Sequence, residues 1–242
     1  MISLVVATAC DGGKSENVRA TENPTSDDVV SVSSASRADS ADSAPSSSPK
    51  VTVLFFGTSL TAGYGLDPAI AFPRLVAEQA EKDGLPVEAI NAGLSGETSA
   101  GAVRRIDWTL KTPVDVVVLE TGGNDALRAL NADSLQKNLR ALVGRVQQAQ
   151  PGAKILLAVM EAPPNLGASY TRQFREAYVQ VAREKGVALL PFLLEGVAGH
   201  RELNQADGVH PNEKGERVVA ANVWRGLKPV VEDAYRGSRL KK

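Results

Sequence analysis

The chain has one cysteine, Cys10, and two histidines, His200 and His210, among its 242 residues. A single cysteine excludes an intramolecular disulfide framework, a zinc ribbon and a CxxC redox pair. Two histidines leave little scope for a histidine-rich metal site. An excess of one charge is also lacking. The 27 Lys+Arg and 28 Asp+Glu leave a formal net charge of −1. Nucleic-acid binding usually shows as a strongly basic field, so no nucleic-acid partner is expected. Gly13-Lys14-Ser15 lacks the glycine a phosphate-binding loop needs five residues earlier, where Thr8 stands. No Gly-x-Ser-x-Gly elbow surrounds Ser59, so the α/β-hydrolase nucleophile motif is absent. No internal repeat is visible.

The first fifty residues do not read as part of the fold. Residues 2–10 (ISLVVATAC) form an apolar run too short to span a bilayer. The run ends in small residues leading into Cys10. It resembles the end of a truncated bacterial lipoprotein signal, with Cys10 the expected lipid-bearing residue. It departs from that pattern in lacking a preceding basic stretch and in having Ala7 where Leu is usual. Residues 11–50 follow, with ten serines between Ser26 and Ser48. Such a segment buries too little apolar area to offset its ordering entropy and is expected to be a disordered tether. Together these segments predict a bacterial envelope protein, periplasmic or tethered to the membrane through Cys10.

From Val51 the pattern changes. Residues 51–56 (VTVLFF) form a continuous apolar run rich in β-formers. Residues 87–91, 114–120 (VDVVVLE), 155–160 (ILLAVM) and 187–190 read as strands in the same way. Helical spacing separates them. It appears in Leu135, Leu139, Leu142, Val143 and Val146, then in Phe174, Ala177, Tyr178 and Val181, and last in Val219, Val223, Leu227 and Val231. Alternating strands and helices with doubly apolar strands predict an α/β domain over 51–242, its parallel sheet covered on both faces.

In open parallel sheets, ligands bind beyond the carboxyl ends of the strands. Those ends carry glycine-rich polar clusters. Residues 57–65 follow the first strand, 91–98 the second and 121–125 the third, while 207–212 lie near the chain's end. Acyl transfer needs a hydroxyl nucleophile, a base, a group that orients the base, and donors for an oxyanion. Ser59, His210 and Asp207 supply the first three. Ser59 N–H, Gly96 N–H and the Asn124 amide are the candidate donors. Taken singly, Ser59 reads as a turn residue, His210 as a helix-start cap, Asp207 as a solvated loop acid and Asn124 as turn chemistry. Their joint occurrence favours catalysis. Glu120 and Asp125 read as structural, Ser95 as a loop residue and His200 as surface. Asp207 and His210 lack further histidine or cysteine ligands, so no catalytic metal is expected.

Four stretches in this order carry a resemblance: 55–66 (FFGTSLTAGYGL), 91–101 (NAGLSGETSAG), 119–125 (LETGGND) and 207–212 (DGVHPN). They resemble the SGNH (GDSL-type) hydrolases, most of all the bacterial arylesterases and periplasmic thioesterase/lysophospholipases. The resemblance implies a three-layer αβα fold on a flavodoxin-like, five-stranded parallel sheet. It implies Ser59 as nucleophile, His210 as general base and Asp207 as orienting acid, with Ser59, Gly96 and Asn124 as the oxyanion hole. No cofactor is implied, and a monomer is expected. One departure stands out: Thr58 occupies the position where the family usually has Asp.

The implied substrates are aryl esters, short-to-medium acyl esters, thioesters or lysophospholipids. Within residues 161–170 (EAPPNLGASY), Pro163, Leu166 and Tyr170 join Leu94 as candidates for an acyl groove; the competing reading is a capped surface loop. Two rival functions remain open. One is carbohydrate O-deacetylation by the same machinery, and the other is a non-enzymatic binding module.

Overall fold

A computed structural model describes residues 50–239 of the protein. The expectations for Cys10 and for the tether at 11–49 lie outside the described residues. Five strands form: β1 (Val51–Gly57), β2 (Val87–Gly93), β3 (Val116–Leu119), β4 (Lys154–Ala158) and β5 (Ala188–Leu190). All pair in parallel, in the order β2-β1-β3-β4-β5. The three-layer α/β architecture is therefore as expected. Each strand also falls where an apolar run predicted one. The third is shorter than its run at both ends; Glu120 still donates its N–H to the Phe56 carbonyl at 2.9 Å and turns its carboxylate toward the segment after β1.

The helices are α1 (Ser59–Ala62), α2 (Phe72–Lys82), α3 (Ser99–Thr109), α4 (Gly123–Leu127), α5 (Ala132–Ala149), α6 (Ala168–Lys185) and α7 (Glu213–Arg239). Helix α2 packs on α7, while α3, α5 and α6 pack in series. This grouping follows from right-handed crossovers. The chain winds outward to β2 and then reverses toward β5, so the two sets cover opposite faces. Helix α5 shows why the stripe is helical. Leu135, Leu139, Leu142, Val143 and Val146 are all fully buried, and Asn131 Oδ1 caps the first turn by accepting from Asp133 N–H at 2.8 Å.

The register positions the site. Gly57 pairs with Gly93, and Phe56 pairs with Leu119. The three strands therefore end at one level, and their loops open onto the same space. Strand order reverses between β1 and β3, the crevice where ligands bind in open parallel sheets.

Candidate active site

Strand β1 ends at Gly57, and one residue later Ser59 starts α1. The turn is tight enough to demand glycine. A Cβ at Gly57 would collide with the Thr61 hydroxyl and the Glu120 carboxylate. As the first residue of a helix, Ser59 has an N–H with no intrahelical acceptor. Its Oγ lies 2.9 Å from His210 Nε2. His210 Nδ1 lies 2.7 Å from Asp207 Oδ2. The other carboxylate oxygen, Oδ1, accepts the backbone N–H groups of Val209 at 2.9 Å and His210 at 3.0 Å. The His210 amide, the His210 ring and the Val209 amide together hold the Asp207 carboxyl down to about 2. Asp207 therefore stays ionised and accepts a hydrogen bond from Nδ1–H. With Nδ1–H donating to Asp207, Nε2 faces the serine hydroxyl as the acceptor.

The structure brings the three oxyanion candidates onto one cavity. Ser59, Gly96 and Asn124 all line it. Gly96 has φ +76°, a conformation that favours glycine, and its carbonyl accepts from Arg128 Nη2 at 3.0 Å. Asn124 Nδ2 donates to the Glu97 carbonyl at 3.1 Å, which leaves its second amide hydrogen for a ligand. Asp125, on the same short helix, is buried and anchors the start of α3, accepting from Ser99 N–H at 2.8 Å and Ser99 Oγ at 2.5 Å. His200 is exposed beside Glu202, away from this constellation.

Thr58 has a defined role. Its N–H donates to Glu120 Oε2 at 2.7 Å, its hydroxyl donates to the same carboxylate at 2.9 Å, and the Thr61 hydroxyl donates at 2.9 Å. Glu120 is fully buried, and burial pushes its carboxyl up despite these donors. Thr58 thus braces the serine loop with a hydroxyl donor to the buried Glu120 carboxyl. A second brace is absent from the sequence reading. Arg105 Nη2 pairs with Glu97 Oε2 at 2.7 Å, and Arg105 also donates to the carbonyls of Ala92 at 3.1 Å and Gly57 at 3.3 Å. It ties the ends of β1 and β2 to the Gly96 loop. Glu97 and Arg105 are eight residues apart across a loop and a helix, a spacing that carries no local signal.

The cavity measures about 660 Å³, within the range of small-molecule sites. One wall is Met160, Ala162, Pro163 and Pro164, and another is Phe192, Leu194 and Ala198. The acyl-groove assignment needs correction. Pro163 lines the cavity; Leu94, Leu166 and Tyr170 do not. Tyr170 is half-buried against the core, donating its hydroxyl to the Leu130 carbonyl at 2.6 Å at the surface and packing on Phe174. Leu166 packs against the core, and Leu94 is exposed. Leu127, Phe192, Leu194 and Val209 take part instead, and the sequence reading missed them. A pattern of strand-end loops would have pointed to the two residues after β5.

Comparison with known proteins bears on the family and the fold. The profile of the GDSL-like lipase/acylhydrolase family matches residues 55–218. The chain is 38% identical to esterase TesA of Pseudomonas aeruginosa over 181 residues, 74% of this chain and 89% of that protein. It is 33% identical to thioesterase 1/protease 1/lysophospholipase L1 of Escherichia coli over 181 residues, 74% of this chain and 85% of that protein. Among solved structures, the psychrotrophic esterase EstA from Pseudoalteromonas sp., inhibited by monoethylphosphonate, superposes with a TM-score of 0.70. It is 32% identical over 75% of this chain and 98% of that one.

Proposed function

The chain belongs to the GDSL-like lipase/acylhydrolase family and is a carboxylic ester hydrolase, and from that premise we propose that Ser59 is its nucleophile, His210 its general base and Asp207 the acid that orients the base. The observation that carries this reading is the continuous chain Ser59 Oγ–His210 Nε2, 2.9 Å, and His210 Nδ1–Asp207 Oδ2, 2.7 Å.

The reaction is a two-step acyl transfer. His210 takes the Ser59 proton as Oγ attacks the ester carbonyl. The tetrahedral oxyanion is held by Ser59 N–H, Gly96 N–H and Asn124 Nδ2–H. His210 protonates the departing alcohol or thiol. Water then attacks the acyl-enzyme by the same route and restores Ser59. The apolar walls at Met160–Pro164 and Phe192–Leu194 take the acyl chain, and the open mouth takes the leaving group. Substrates are aryl esters, thioesters or lysophospholipids, classes that appear in the relatives' names, together with short-to-medium acyl esters. One chain supplies every group of the proposed site, so a monomer suffices for the reaction. The enzyme works in the bacterial envelope, tethered through Cys10, a reading that rests on the sequence of residues 2–10 and of the serine-rich stretch that follows.

A fluorophosphonate probe tests the assignment, in line with the phosphonate that inhibits the EstA structure. The expected result is one adduct on Ser59, and no adduct or ester hydrolysis in Ser59→Ala. Folded protein that hydrolyses esters yet leaves Ser59 unlabelled would overturn it. A faster rate on acetylated sugars than on hexanoyl to decanoyl esters would instead favour the deacetylase reading.

A further inference from the structure

The contact between Ser59, at the start of α1, and His210, on a loop, joins residues 151 positions apart. Neither segment fixes that distance alone. Within the histidine loop, Asn204 and Pro211 form an antiparallel bridge, and Gln205 N–H donates to the His210 carbonyl at 2.8 Å. The Gln205 side chain then reaches across to the serine segment. Its Nε2 donates one hydrogen to the Tyr64 carbonyl at 2.7 Å and the other to the Pro211 carbonyl at 2.9 Å. Tyr64 is itself bound to the nucleophile, because its N–H donates to the Ser59 carbonyl at 3.0 Å. Its ring lies against the His210 imidazole with centroids 4.7 Å apart. The neighbouring residue is shaped around the same amide. Gly65 has φ +78°, and a Cβ there would lie 2.5 Å from Gln205 Oε1.

We propose that Gln205 is a positioning residue for hydrolysis, a clip whose single amide nitrogen fastens the Ser59 segment to the His210 loop and so sets the Oγ–Nε2 distance. The inference rests on Ser59 and His210 being the nucleophile and base. Its chemistry is specific to a primary amide. Two carbonyl oxygens need two N–H donors from one nitrogen, and Gln offers that pair in a plane. Glu has the same shape but would turn an oxygen toward both carbonyls. Met has nearly the same length and offers no donor. Because the clip holds reacting groups and touches no substrate, its loss lowers the chemical step and leaves substrate binding alone. Misplacement by about 1 Å costs on the order of 10²-fold in rate.

The experiment compares wild type with Gln205→Met and Gln205→Glu on a p-nitrophenyl ester. It reads kcat and KM separately, the fluorophosphonate labelling rate of Ser59, and the thermal midpoint. Gln205→Met preserves bulk and keeps the test interpretable if Gln205→Glu does not fold. The expected result is a fall of roughly 10- to 100-fold in kcat and in labelling rate, with KM within about twofold and the midpoint well above the assay temperature. Unchanged kcat in folded Gln205→Met would overturn the proposal. A loss appearing only in KM, or only in proportion to unfolded protein, would overturn it as well. Failure of the underlying reading looks different: wild type itself would not label at Ser59.

Discussion

Glu216 makes stability depend on pH in an unusual direction. It lies in the first turn of α7, is 2% exposed, and is in none of the ion pairs among the described residues. Its Oε2 accepts the Phe72 N–H at 2.8 Å, at the start of α2. Burial pushes its carboxyl from the ordinary 4.5 up to about 8, with the Phe72 amide pulling the other way. Between those two values the folded chain keeps a proton that the unfolded chain gives up. Stability from this group is therefore complete below about 4.5 and is lost as pH rises through about 8. At about 1.4 kcal/mol per pH unit, that interval bounds the loss at about 5 kcal/mol, a large share of a domain's total stability. Glu216→Gln keeps a carbonyl oxygen for the Phe72 N–H and removes the titration. Urea unfolding of both proteins at pH 5, 7 and 9 measures the difference. The variant is expected to gain several kcal/mol on wild type across that range and to be the more stable at pH 9. A difference constant to within about 0.5 kcal/mol would show that burial does not hold the proton on Glu216.

Two further outcomes follow from the site. Asn124→Ala removes one oxyanion donor and should lower kcat by ~10²–10³ with little change in KM; a loss below about threefold would remove Asn124 from that role. Thr58→Val deletes a hydroxyl donor to the buried Glu120 and should destabilise the fold by about 1–3 kcal/mol in denaturant titration, while Thr58→Ser recovers most of it. Equal stability of the valine variant would mean that the Thr58 hydroxyl does not brace the loop.

The central strand β3 was legible because burial on both faces leaves no polar position in Val116–Leu119, whereas the edge strands β2, with Glu88 and Asn91, and β5 are less buried and showed only as shorter apolar runs. Helices α5, α6 and α7 were legible from their buried stripes. Helix α3 was not, since Ala102 and Ile106 are its only buried large or small apolar positions and Gly101 interrupts the pattern. The Asp207–His210 pair was legible because three residues of turn suffice to bring carboxylate and ring together. Leu94, Leu166 and Tyr170 were misassigned because a loop's sequence does not say which way its side chains face. Tyr170 lies half-buried along the core and donates its hydroxyl to the Leu130 carbonyl. Thr58 was visible as a departure, yet its partner Glu120 lies 62 positions away.

By itself, then, the sequence determined the alternation of strands and helices, the level of the chain at which each polar cluster follows a strand, and the residue types available for acyl transfer. These depend on local periodicity and on chemistry carried by single side chains. Only the tertiary structure decided that Ser59 and His210 meet at 2.9 Å, that Gln205 and Arg105 tie the loops together, and which apolar residues face the cavity. Such contacts are set by strand register and by packing between segments far apart in the chain, and no short stretch of residues encodes them.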